Sequence, residues 1–324
     1  MRQSFFIAAI CGLCWACSDT KDQHPVLEGA AFAAISDSIR KAPADANLYY
    51  RRGVLLYEKQ EPALAQKDIE KAWSLSPREE YALSLASLLK EKNKDTAIAF
   101  LHSAIKVRPE SIGLKVTLAA IFFETGAHSK ALSILEPIIA AYPGQLDALI
   151  LKADILADTG KGAEATEVLE AAYALAPSDA DLAHSLGFRW AEAKNPKALK
   201  LADSLIRADV RGTHPEPYLL RGIYYTATNE PTLALKAFDE AIVKDYNFLD
   251  AHMYKGELLF NLKRYAEGAK TFKLATTISP TFAEGYYWLA KCEQAMGLTK
   301  EAKENFARAY HFDTSLIDRS SPLP

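Results

Sequence analysis

The sequence predicts an all-α protein built from one helical hairpin copied along the chain, and three observations carry that prediction. Prolines stand at Pro43, Pro77, Pro109, Pro143 and Pro177 and again at Pro280, spaced 34, 32, 34, 34 and 103 residues apart. The last interval is about three periods, with Tyr246 where one missing proline would fall. Small and apolar residues recur at fixed offsets from these prolines, and glycines and further prolines punctuate the gaps. A period of this size marks a supersecondary unit that cannot bury its apolar face alone and must stack on its neighbours.

Taken in order, Val26 to Pro43 predicts a lone helix of the second type, with Ala31 and Ile35 on its inner face. Eight hairpins follow, over about residues 46–314. Each first helix carries a small residue early on: Gly53, Ala119, Ala153, Gly187, Gly222, Gly256 and Ala290, with Leu85 the exception. Each second helix brings another at Ala65, Ala97, Ala131, Ala165, Ala198, Ala234, Gly268 and Ala302. Four residues later come Ile69, Leu101, Leu135, Leu169, Ala202, Phe238, Phe272 and Phe306. Steps of three and four put these on one helical face, and small residues let paired helices approach closely.

Pro62, Pro196 and Pro231 mark starts of second helices, where the missing N–H would be unpaired anyway. Gly126, Gly160 and Gly297 close first helices, where a left-handed residue is needed. Three places depart from the rhythm. The turn after Pro77 is two residues short, and Pro137 falls inside a second helix, where it should kink the helix and free a carbonyl. The loop at 209–217 is about two residues long in excess, which reads as a tolerated surface insertion or as a partner contact or hinge.

The pattern resembles the tetratricopeptide repeat. Residues 215–246 show it in Tyr218, Gly222, Tyr225, Ala234, Phe238 and Ala241, and residues 283–314 in Tyr286, Leu289, Ala290, Gly297, Ala302, Phe306 and Ala309. The resemblance implies a right-handed α-solenoid over residues 26–314 whose first helices line a concave groove for a protein segment or helix. Carried onto this sequence, the family's groove positions give Tyr50, Val54, Tyr57, Phe123, Ile150, Phe188, Leu219, Ile223, Met253, Phe260 and Tyr287 as candidate partner contacts. That wall is largely apolar and aromatic; the plainer reading is that several of these side chains pack on the next first helix. A further groove position is acidic at Glu79, Asp147, Asp181, Glu216, Asp250 and Glu284. This is either a stripe for a basic partner or a set of carboxylates placed to favour the helix dipole.

Residues 1–16 are expected to be a signal peptide, with Arg2 ahead of an apolar run from Phe5 that is too short to span a bilayer. Ala16-Cys17 resembles the cleavage box of bacterial lipoproteins, which implies lipidation of Cys17, a polar linker over 17–25 and, with Ser18 following, an outer-membrane destination. Plain secretion to the periplasm and an uncleaved anchor are the alternatives.

Composition narrows the function. Formal net charge is −3, with no Lys/Arg cluster, so nucleic acid is not an expected partner. Cys11, Cys14 and Cys17 lie inside the apolar run with no fourth thiol nearby, which disfavours an iron–sulfur cluster, and Cys292 reads as a core residue. The seven histidines show no metal-ligand spacing, and there is no G-x-S-x-G or phosphate-binding loop. Beyond the repeats only the tail 315–324 remains, so no enzyme, cofactor or metal is expected. In the last helix Lys300, Lys303, Glu304 and Arg308 form a polar outer face, no separate capping helix follows, and a weak homo-oligomeric contact there stays open.

The expected function is a non-catalytic scaffold tethered to the bacterial envelope that binds a peptide or helix of an envelope protein. The alternatives are a structural or oligomeric envelope protein using its outer face or termini, and a small-ligand receptor using His184, Arg189 and Asp154.

Overall fold

The structure, a computed structural model, describes residues 24–319. The signal peptide, Cys17, nearly all of the linker and the last residues of the tail lie outside them. Eighteen α-helices and no strand occur among the described residues, and the all-α hairpin array expected from the sequence is what forms. The chain divides into two compact units between Ile121 and Phe122, within helix α7 (Ile112–Glu124).

The first unit holds α1 (Pro25–Glu28), α2 (Ala30–Lys41), α3 (Ala46–Glu58), α4 (Pro62–Leu75), α5 (Glu79–Lys92), α6 (Lys94–Val107) and the start of α7. The second holds the end of α7, then α8 (His128–Ala141), α9 (Leu146–Asp158), α10 (Gly162–Leu175), α11 (Ala180–Glu192) and α12 (Lys197–Ala208). It continues through α13 (Glu216–Ala227), α14 (Pro231–Lys244), α15 (Leu249–Asn261), α16 (Tyr265–Ile278), α17 (Ala283–Ala295) and α18 (Thr299–Phe312), and a 3-10 turn at Thr314–Arg319 closes it.

The recurring positions are the core of each hairpin. Ala65, Ala97, Ala131, Ala165, Ala198 and Ala234 are fully buried, as are Leu101, Leu135, Phe238 and Phe272 four residues further on. Three glycines on first helices face the large residue sixteen positions ahead: Gly53 meets Ile69, Gly222 meets the Phe238 ring and Gly256 the Phe272 ring, whereas Gly187 meets Leu220 and Leu201. A side chain at those points would occupy the space the ring fills.

Turns inside seven of the eight hairpins share one geometry, α5–α6 being the exception. Gly126, Gly160 and Gly297 adopt φ of 72°, 77° and 79°, and Gln60, Lys194, Asn229 and Lys263 adopt φ of 57° to 63° at the equivalent places. At each, the residue's N–H bonds a carbonyl three residues back and the next N–H one five back, as in Gln60 to Tyr57 and Glu61 to Leu56. This pair of bonds satisfies carbonyls that a helix end leaves open.

Four details differ from the sequence expectations. The two-residue shortening lies mainly between α5 and α6, where Asn93 alone ends one helix and caps the next through its side-chain oxygen to the Thr96 N–H at 2.9 Å. Pro137 sits within α8, which continues to Ala141; both Pro137 and Ser133, whose carbonyl loses its usual donor, are exposed, so water can supply the missing bond. On α2 the buried residues are Phe32, Ser36 and Ile39, one position on from Ala31 and Ile35. A closing element does follow α18: in the 3-10 turn, Leu316 is buried against Tyr287, Phe306 and Ala309.

Candidate functional site

The sequence places its candidate contacts on first helices, and each unit disposes them differently. In the first unit, Tyr50 and Tyr57 of α3 both reach α5, each to the residue one 34-residue repeat ahead. Tyr50 Oη lies 3.1 Å from Ser84 Oγ, and Tyr57 Oη donates to the Glu91 carboxylate at 2.6 Å. The bond to Glu91 and its negative charge push the Tyr57 hydroxyl above its ordinary value. The Tyr50 ring also packs 4.6 Å from Tyr81. Val54 and Tyr57 remain exposed.

In the second unit, Phe123 lies against His128 with ring centroids 5.7 Å apart. Ile150 is half-buried against the core of α9 to α15. Leu219, Ile223, Met253 and Tyr287 are 1%, 5%, 7% and 8% exposed, so these four are core residues that offer a partner almost no surface. The cover over α13 is aromatic. Phe188 of α11 and Tyr254 of α15 meet edge to face at 6.1 Å although α13 comes between those helices, and both pack on the cluster that holds Leu219 and Ile223. Phe260 is half-buried, 5.4 Å from Trp288 and 5.3 Å from Tyr265. The Lys291 ammonium lies 5.9, 5.6 and 5.6 Å over the rings of Phe260, Tyr287 and Trp288, so this aromatic cage holds the chain's own cation.

What remains accessible on this face is more polar than the sequence suggests. His184, Ser185, Phe188, Arg189 and Glu192 line a recess of about 230 Å³. The Tyr254 hydroxyl is pushed up to about 12, first by burial and then by the carboxylates of Glu192, Glu257 and Asp250. Burial also lifts Glu257 above the ordinary glutamate value, with Glu284 adding to the effect. Asp154 keeps exposed surface, yet enough protein surrounds its carboxyl to raise its value against the pull of Arg189. Neither Glu192 nor Glu257 has an ion-pair partner among the described residues. Partly desolvated carboxylates beside aromatic rings favour a cation, which gains both charge pairing and contact with the ring faces.

All six residues of the acidic position sit in first turns of their helices, where carboxylates favour the dipole. Of these, Asp250 and Glu284 also act on the Tyr254 and Glu257 groups. Tyr254 and Trp288 fall outside the groove positions carried over from the repeat, but both are aromatic and 34 residues apart, a periodic signal in the sequence. No group of His, Cys, Asp and Glu able to hold a metal occurs among the described residues, and none of their helices is long and apolar enough to cross a membrane.

Tetratricopeptide-repeat profiles match residues 88–155, 123–187 and 219–281, together just over half of the chain. A tetratricopeptide repeat protein from Parabacteroides merdae has a crystal structure similar to this one, with a TM-score of 0.55 at 13% identity, covering 85% of this chain and 96% of that one. The Cut9–Hcn1 hetero-tetramer of APC/C is similar with a TM-score of 0.51 at 14% identity, covering 87% of this chain and 57% of that one. At these identities the likeness concerns the fold alone. No curated protein matches the sequence.

Proposed function

The chain belongs to the tetratricopeptide-repeat family, whose repeats serve as protein-interaction scaffolds, and from that premise we propose that it holds a partner protein by a segment rich in lysine or arginine on the first-helix face of its second unit. The observation that carries this reading is the recess that Phe188 and Glu192 line, with the Tyr254 ring edge to face with Phe188 and its hydroxyl raised by burial and by the charges of Glu192, Glu257 and Asp250. Of these carboxylates Glu257 is half-buried and, among the described residues, unpaired, which is costly in the free protein, and a cationic partner would relieve that cost. Aromatic side chains beside them supply contact area at little entropic expense, as anchor residues of interfaces do.

A labelled peptide alternating lysine with leucine tests the chemistry. It should bind the full chain and be released by salt, and the double variant Glu192→Lys, Glu257→Lys should weaken it at least tenfold without lowering the melting temperature. Equal affinity for both proteins would sink the proposal. The role on this reading is non-catalytic.

The same protein is placed at the bacterial outer membrane by lipid on Cys17, following the resemblance of Ala16-Cys17 to a lipoprotein box. Fatty-acid labelling should vanish in a Cys17→Ser variant; labelling that persists excludes the tether at this residue.

A further inference from the structure

The second unit carries another cleft, formed mainly by α12, α13 and α14 with Arg264 ahead of α16, of about 850 Å³. One face of α14, from Thr232 to Lys244, forms its long wall. At 1.5 Å per residue that wall is about 18 Å long, the reach of roughly five or six extended residues. The apolar part of the lining is Ile206, Tyr218, Leu235 and Val243, the last 82% exposed.

Charge gives the cleft its character. Four cations line it, Arg221, Lys236, Lys244 and Arg264, against two carboxylates, Asp239 and Glu240, in a chain whose net charge is −3. The Asp239 carboxylate already takes Lys255 at 2.5 Å, and Glu240 faces Lys236 at 3.9 Å. Arg221 pairs with Asp203, and Arg264 with Glu267. Lys244 has no carboxylate partner among the described residues. Its ammonium lies 5.4 Å over the Tyr218 ring, whose other cation is Arg221 at 5.9 Å.

The long loop between α12 and α13 sets this end of the cleft. Asp209 accepts from the Gly212 and His214 N–H groups at 2.8 and 2.9 Å, which fixes the loop's course. Gly212, at φ 64°, then stands so that a Cβ there would lie 3.5 Å from Lys244 Nζ. The loop that the sequence marks as an insertion therefore borders the unneutralised lysine.

We infer that this cleft docks an acidic, partly apolar segment of a partner protein, its carboxylate on Lys244 and its apolar side chain over Tyr218 and Val243. The length of the wall suits an extended segment, and Lys244, the lining cation that no carboxylate among the described residues pairs with, suits an acidic one. This surface is distinct from the first-helix face, and the two bind segments of opposite charge.

Fluorescence anisotropy with the full chain tests it, using a labelled hexapeptide alternating glutamate with leucine and its glutamine counterpart. The glutamate peptide should bind and the glutamine peptide should not. Lys244→Glu, and separately Val243→Asp at an exposed position that folding tolerates, should each weaken binding about tenfold. Lys303→Glu on α18 and Phe188→Ala should leave it unchanged. The inference is overturned if the unaltered chain fails to bind, if Lys244→Glu binds as well as the parent, or if Lys303→Glu weakens binding equally. Displacement by millimolar inorganic phosphate as effective as by the unlabelled peptide would make this a small-anion site and overturn the peptide reading.

Discussion

A single methyl group separates the glycines of the first helices from alanine, and at Gly222 that methyl has no room. Its Cβ would stand against three atoms of the Phe238 ring, which is itself fully buried. Alanine would favour the helix by about 1 kcal/mol, but overpacking a closed site costs about 1–3 kcal/mol. Gly222→Ala should therefore lower the melting temperature, measurable by circular dichroism, whereas Gly144→Ala, whose Cβ would meet nothing, should not through packing. Glu257 makes a second prediction at this scale. Its folded-state value is raised above the ordinary 4.5, so its ionisation costs nothing below that value and disfavours the fold as pH rises through the raised one. In Glu257→Gln the urea midpoint should decline less than in the parent over the pH range above 4.5, and a decline as steep as the parent's would refute the assignment.

Among the elements, the hairpin turns show how much local chemistry was readable. Glycine announced the left-handed turns at 126, 160 and 297, while Gln60, Lys194, Asn229 and Lys263 take the same backbone without announcing it, because the bonds to the preceding helix impose it. The shortened α5–α6 junction was visible as a 32-residue interval, but its place within the unit depends on Asn93 serving two helices at once. The α3–α4 hairpin contains an ion pair that no periodicity revealed. Arg52 donates to Asp68 at 2.6 and 2.7 Å and to Ser36 Oγ of α2 at 3.1 Å, with Arg52 and Asp68 only 4% and 5% exposed. Arg52→Leu deprives the buried Asp68 carboxylate of the guanidinium that pairs with it and should cost about 3–5 kcal/mol in denaturant unfolding, while the double variant with Asp68→Leu should recover much of that. A double variant no more stable than the single one would contradict this account.

For the molecule as a whole, stability in a stacked array is a sum of each repeat and its interfaces with neighbours. The chain's contacts gather into two units, so damage should be felt where it is made. Hydrogen exchange should show Arg52→Leu lowering protection among residues 24–121 and Gly222→Ala among residues 122–319; uniform loss across both in either variant would show a single cooperative unit instead. The sequence by itself determined the hairpins, their period, the faces that pair and the family, because a 34-residue repeat writes burial of small and apolar residues at every turn of the helix. Only tertiary structure decided which first-helix side chains are left for a partner. Leu219, Ile223, Met253 and Tyr287 occupy groove positions yet are buried, and Tyr254 occupies none yet meets Phe188 edge to face. Repeat position fixes the direction a side chain takes from its own helix, whereas exposure depends on what reaches it from the next helices, as Phe188 and Tyr254 do over α13.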